Sequence, residues 1–232
     1  MKTHVLDNPM WQSLASHQAN FAVAGKLAAR YQPDIAPFAG VQQPTQAAFA
    51  ELASLIGKDE LLYLLEDEPP QLAGFHVEPH GFITQMVWQG DGILAQPTVE
   101  PYRLAAPEVE EMLTLTALAF PGYFRTRTHE LGDYWGIREN DQENGLLVAM
   151  AGERFQIENY CEVSAVCTHP DFRGRGYAEQ LVCHVVTGML QRGAVPFLHV
   201  GQTNETAKRI YAKLGFVERR DLLLWSVIRA NS

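Results

Sequence analysis

The chain has 232 residues, 47% hydrophobic and 19% charged, with a formal net charge of −9 and a pI near 5.3. Such totals supply a packed core, exclude wholesale disorder and weigh against nucleic acid or an anionic membrane as the main partner. Three cysteines (Cys161, Cys167, Cys183) without CxxC spacing form neither a disulfide framework nor a zinc site, no run reaches 18 apolar residues, and the N-terminus has no apolar secretory segment; buried thiols in a cytoplasmic protein are expected.

In chain order, Asn8-Pro9 starts an apolar-periodic stretch (Trp11, Leu14, Ala15, Phe21, Leu27, Ala28) that predicts a helix over 9–31, ended by the Pro-rich "QPDIAPF". A second helix fits "TQAAFAELASLIG", with Phe49, Leu52, Leu55 and Ile56 on one side. "ELLYLLE" reads as a buried strand, and "QLAGFHVE", "PHG" and "FITQMVWQ" as a hairpin. These residues predict an α+β lobe over 1–95. The Gly- and Pro-containing "QGDGILAQP" marks a boundary, and a second domain is predicted over 96–232. There, "TVEPYRLAA" reads as a strand and "PEVEEMLTLTALAF" as a helix with Pro107 in its first turn. "DYWGIREN" and "GLLVAMAGERF" form strands around "DQENG", and "CEVSAVCTH" is the next strand. Ala178, Leu181, Val182, Val185, Val186, Met189 and Leu190 give the cleanest helical stripe, closed by Gly193. After the strand "PFLHV" comes a helix capped by Thr203 or Asn204 and closed by Gly215, then one or two strands from "FVERRDLLLWSVIR".

Arg173-Gly-Arg-Gly-Tyr-Ala178 lies between a strand and a helix. First-turn N–H groups have no intrahelical partner, and the helix dipole favours negative charge there. Glycine permits close approach and positive φ. With Arg173 and Arg175, the stretch suits a pyrophosphate; a plain turn is the competing reading. There is no GK[ST] of a Walker loop, and the GxG spacing with Ala178 disfavours a dinucleotide fold.

This turn resembles motif A of the GCN5-related N-acetyltransferase (GNAT) superfamily, and "LHVGQTNETAKRIYAKLGF" is similar to the family's later strand–Asn–helix–Tyr–Gly-Phe motif. The resemblance covers about residues 98–229. It implies an α/β fold with a mixed sheet, an acyl-CoA N-acyltransferase with an additional N-terminal α+β lobe. It further implies that the lobe is a degenerate copy of the same fold, as in two-lobed acyltransferases similar to glycine N-acyltransferase. It also implies acetyl-CoA as co-substrate, with Val166, Cys167 and Thr168 lying along pantetheine, Arg173, Gly174, Arg175, Gly176, Tyr177 and Ala178 cradling the pyrophosphate, and Asn204 either touching the cofactor or only capping its helix.

Amide formation from a thioester needs a base for the amine, a donor for the developing oxyanion and an acid for the departing thiolate. The resemblance assigns the acid to Tyr211, which as a phenol of pKa about 10 is protonated at neutral pH; a core aromatic is the alternative. It assigns the oxyanion donor to the Val166 N–H. Two residues compete as base, acting directly or through a water relay. Glu162 is expected to share a strand face with Ser164 and Val166. His199 has an intrinsic pKa of roughly 6.5. A solvated carboxylate and a core histidine are the alternatives. Arg125, Arg127 and His129 are either a carboxylate-binding loop or a solvated basic one. His76 and His80 do not share a helical face because Pro79 intervenes, so no metal is expected. The expected activity is acetyl transfer to a primary amine by direct attack in a ternary complex; a non-catalytic acyl-CoA-binding or interaction module is the alternative. The expected partners are a small-molecule or peptide amine and, through the N-terminal lobe, a second copy in a homodimer; nucleic acid and membrane are not expected.

Overall fold

Pro9 stands in the first turn of α1 (Pro9–Leu14), where a missing N–H is of no consequence. In the computed structural model, which describes residues 4–68, 70–91, 94, 97–139 and 145–230, the helix predicted to reach residue 31 stops at Leu14. The chain turns back around the buried Gln18. Its Oε1 accepts from Ser13 Oγ and from the Tyr31 hydroxyl (2.6 Å), and its Nε2 donates to the Leu131 and Arg154 carbonyls at 3.1 and 2.7 Å. The alanine-rich stretch then becomes strand: β1 (Ala22–Ala24), β2 (Ala28–Tyr31) and β3 (Ala39–Val41) form a small antiparallel sheet. All four residues of β2 are buried, so packing and pairing override the weak strand propensity of alanine. α2 (Gln46–Leu55) forms as its pattern predicts, with Thr45 accepting the Ala48 N–H.

The remaining elements are β4 (Leu61–Leu65), β5 (Phe75–Trp88), β6 (Tyr102–Leu104), α3 (Val109–Ala119), β7 (Tyr134–Arg138), β8 (Leu147–Ile157), β9 (Tyr160–Thr168), α4 (Tyr177–Gln191), β10 (Val195–Gly201), α5 (Glu205–Lys213) and β11 (Phe216–Arg229). Their strands form one eight-stranded sheet in the order β4-β11-β5-β10-β9-β8-β7-β6, in which only β9 and β10 run parallel. This is the mixed sheet expected, but its strands cross the boundary drawn near residue 95: β5, from before it, pairs with both β10 and β11, from after it. Residues 92, 93, 95 and 96 of that boundary, and 141–144 of the "DQENG" turn, lie outside the described residues.

The expected hairpin over 71–89 is a single strand. Trp225 pairs with Pro79 and Leu224 with Gly81, which leaves His80 as an extra residue in a bulge. Proline, lacking a ladder donor, is tolerated at such a place, and Gly81 takes a φ of +132°.

Both faces of the sheet are covered. α4 and α5 pack on one, against Cys161, Val163, Leu198 and Phe216. On the other, the N-terminal segment packs through Leu6, Tyr31 and Ile35 against Phe155, Ile157 and Phe197, while α3 covers Tyr134 and Met150. Each fully buried side chain of this size contributes roughly 2 kcal/mol of transfer free energy.

Candidate active site

The site is built where the one parallel pair of strands separates. β9 and β10 are paired at Tyr160/Val195, Cys161/Pro196 and Glu162/Phe197, and no further. Beyond this, β9 carries a bulge: Ser164 faces Gly152 and Cys167 faces Met150, so Ala165 and Val166 together oppose Ala151. Ala165 has a φ of +52°, a left-handed conformation that costs a non-glycine residue about 1 kcal/mol or more. A bulge leaves ladder groups unpaired, and here it falls where the sequence placed the oxyanion donor. It also reverses the alternation. Cys161 and Val163 pack toward α4, and so does Val166, whereas Ala165 and Cys167 pack with the α3 cluster. Val166 therefore lies on the face opposite Glu162, not on the shared face that strict alternation predicted.

A cavity of about 760 Å³ runs through this split and is lined from both faces of the sheet. At one end lie Val166, Cys167, Thr168 and the turn from Arg173 to Ala178, with Asn204 and Tyr211 beside them. Gly174 and Gly176 have φ of +79° and +77°. A Cβ on Gly174 would meet nothing within 4 Å, so backbone conformation rather than crowding requires glycine there. Gly176 is the N-cap of α4, and no side chain caps that end, so the first-turn N–H groups are left for an anion. The Arg175 guanidinium lies over the Phe172 ring at 4.7 Å. These features fit a CoA pyrophosphate. Asn204 Oδ1 accepts the Ala207 N–H at 3.1 Å, so the cap is real while the side chain also borders the cavity. Tyr211 packs edge-on to Phe216, and burial pushes its phenol up to about 12, with Cys167 adding to the effect.

At the other end, the walls come from Met10, Phe38, Leu65, Ile83, Tyr123, Phe124, Tyr134, Arg154, His199 and Leu224. Glu162 is not among them. It is fully buried behind His199, where Arg154 donates to it through Nε and Nη2, each at 2.7 Å. A second bulge, with Arg154 and Phe155 opposite Glu162, sets that approach. Burial alone would raise the Glu162 carboxyl, but Arg154 and His199 together hold it well below the usual range, at about 2. Such a carboxylate is a poor proton acceptor at neutral pH. His199 Nδ1 lies 2.7 Å from Glu162 Oε1, and Nε2 lies 3.0 Å from Gln85 Nε2. Because Gln85 Oε1 accepts from Arg219 at 2.8 Å, its amide nitrogen must face Leu6 O and His199. That orientation assigns the imidazole proton to Nδ1, held by Glu162, and leaves Nε2 as acceptor.

The basic loop is spent elsewhere. Arg127 bonds Glu130 twice at 2.7 Å and Asp34 at 3.0 Å, and neither Arg125 nor His129 reaches the cavity wall. His76 and His80 belong to β5. No cluster of metal-ligating side chains occurs among the described residues. Nor is any helix among them long and apolar enough to cross a membrane.

A GNAT-family protein of known structure from Novosphingobium aromaticivorans is 35% identical to this chain, superposes with a TM-score of 0.89, and matches 98% of this chain and 100% of its own. The chain belongs to the GNAT family. An FR47-like family model matches residues 134–226 of this GNAT protein. Its fold is shared by a GCN5-related N-acetyltransferase from Kribbella flavida (18% identity, TM-score 0.59, covering 95% and 92% of the two chains). It is shared also by a GCN5-related N-acetyltransferase-like protein from Streptococcus suis (17% identity, TM-score 0.54, 94% and 91%). No curated protein sequence matches the chain. What sequence reasoning missed in this GNAT site is Arg154, Tyr134, Gln85 and the aromatic wall. One signal was present: Glu153-Arg154 puts two charges inside the apolar strand "LLVAMAGERFQI", and buried charges need partners.

Proposed function

We propose that this GNAT protein transfers an acetyl group from acetyl-CoA to a primary amine by direct attack in a ternary complex. The reading rests on one observation: a single cavity joins the glycine turn, Tyr211 and His199 through the gap between β9 and β10. Acetyl-CoA supplies an activated thioester when bound. The amides of residues 174–178, with Arg173 and Arg175, hold its pyrophosphate, and the strand from Val166 to Thr168 aligns its arm. The Val166 N–H, in the bulge, donates to the reacting carbonyl oxygen. Tyr211, protonated throughout the neutral range, gives its proton to the departing sulfur. His199 takes the amine proton on Nε2 once the incoming amine replaces the Gln85 contact. Glu162 acts through His199 as a positioning residue, holding the ring and stabilising its charge.

The test is release of free thiol from acetyl-CoA in the presence of amino acids, arylalkylamines, polyamines and peptides. Turnover is expected with at least one class, and reversing charge at Arg173 and Arg175 is expected to weaken acetyl-CoA binding tenfold or more by calorimetry. Tight binding with no turnover on any class would favour the non-catalytic acyl-CoA module. The engagement of His199 Nε2 by Gln85 is the one observation on that side.

A further inference from the structure

The far end of the cavity has a distinct chemistry. Its wall is apolar and aromatic: Phe38, Tyr123 and Phe124 supply rings, and Met10, Leu65 and Leu224 fill between them. Phe38 and Tyr123 stack with centroids 6.0 Å apart, which leaves a surface suited to a further flat ring. Among the described residues, no acid lines this end; the one acid on the cavity wall, Glu179, lies in the first turn of α4 and pairs with Lys213. A second ammonium, as on a polyamine, would be buried there without a counter-charge.

Besides the acceptor His199 Nε2, this end offers donors at Arg154 and Tyr134. Arg154 gives Nε and Nη2 to Glu162, and its guanidinium lies against two rings, Phe38 at 4.6 Å and Phe155 at 4.5 Å. Nη1 has no protein partner among the described residues, and Arg154 is on the cavity wall. Tyr134, on the same wall, keeps a buried hydroxyl with no hydrogen-bond partner, close enough to Arg154 to feel its charge. The Tyr134 hydroxyl is a buried donor without an acceptor, which is costly and rare; the same kind of group would satisfy it and Arg154 Nη1.

We infer that the acceptor is an aromatic amino acid, its ring against Phe38, Tyr123 and Phe124 and its carboxylate taken by Arg154 Nη1 and the Tyr134 hydroxyl. The inference rests on the transferase reading and gives it a substrate class. The carboxylate anchors one end of the substrate so that the amine, one carbon away, meets His199 at the gap.

The experiment compares kcat/KM of the full-length protein for phenylalanine, phenethylamine and spermidine at saturating acetyl-CoA, following free thiol. Phenylalanine is expected to exceed phenethylamine, which has the same ring and amine but no carboxylate, by at least tenfold, and spermidine to be inert. Tyr134→Phe removes an unsatisfied hydroxyl without changing shape, so the fold is expected to hold. It is expected to raise KM for phenylalanine severalfold while leaving phenethylamine unchanged. Preference for phenethylamine or spermidine, or a Tyr134→Phe variant with an unaltered ratio between the two aromatic amines, would overturn the inference while leaving acetyl transfer standing. Thiol release with no amine at all, in a protein that binds acetyl-CoA, would overturn both.

Discussion

Replacing Glu162 with Gln tests the buried cluster most directly. The carboxylate is sealed from water, yet its pKa is lowered from 4.5 to about 2, because two bonds from Arg154 and one from His199 outweigh the burial that would raise it. A depressed carboxylate stabilises the fold fully above its unfolded pKa and loses that contribution as pH falls toward the folded value. The difference between those pKa values is worth about 3 kcal/mol at pH 7. Removing one partner of a buried ion pair costs about 3–5 kcal/mol by an independent route, since Arg154 is left uncompensated. Glu162→Gln is therefore expected to lower the free energy of unfolding by about 3 kcal/mol at neutral pH. The gap between variant and wild type should then narrow by about 2 kcal/mol on going from pH 7 to pH 3. Urea unfolding of both proteins across that range measures it, and the other carboxylates, common to both, cancel in the difference. A gap of the same size at both ends of the range would refute the claim that Glu162 is held ionised by Arg154 and His199.

Tyr211→Phe is expected to lower kcat by roughly a hundredfold while the calorimetric affinity for acetyl-CoA stays within about twofold; an unchanged kcat would remove Tyr211 as the acid. Gly152→Ala would drive a Cβ into the Tyr134 ring, which is itself buried. The ring cannot retreat freely, so a loss of about 1–3 kcal/mol is expected in urea unfolding, and an unaltered midpoint would mean that the ring is not fixed where it lies.

The parts of the fold written in local chemistry were legible. The stripe from Ala178 to Leu190 gave α4, the cap and glycine gave α5, and glycines 174 and 176 do take the positive φ that the turn demanded. Where the sequence misled, local punctuation had been put to another use. Pro79 and Gly81 mark a bulge inside β5 rather than a turn, and Gln18, rather than any helix breaker, ends the helix begun at Pro9. The bulge at Ala165 carries no glycine to announce it, so the sequence offered no sign that alternation reverses between Glu162 and Val166. The acceptor end was illegible for a different reason. Its residues come from positions as distant as Met10, Tyr123 and Leu224, and only three-dimensional packing brings them to one wall.

The insertion of β5 between β10 and β11 has a consequence for how the chain is made. During synthesis, β5 emerges more than a hundred residues before either of its neighbours, with both hydrogen-bonding edges bare. Until the final strand arrives, such a segment is open to pairing with other nascent chains, and contacts of this span make folding slow. Polar and proline residues in its exposed half (Glu78, Pro79, His80) are the kind of gatekeeper that keeps a waiting strand from associating wrongly.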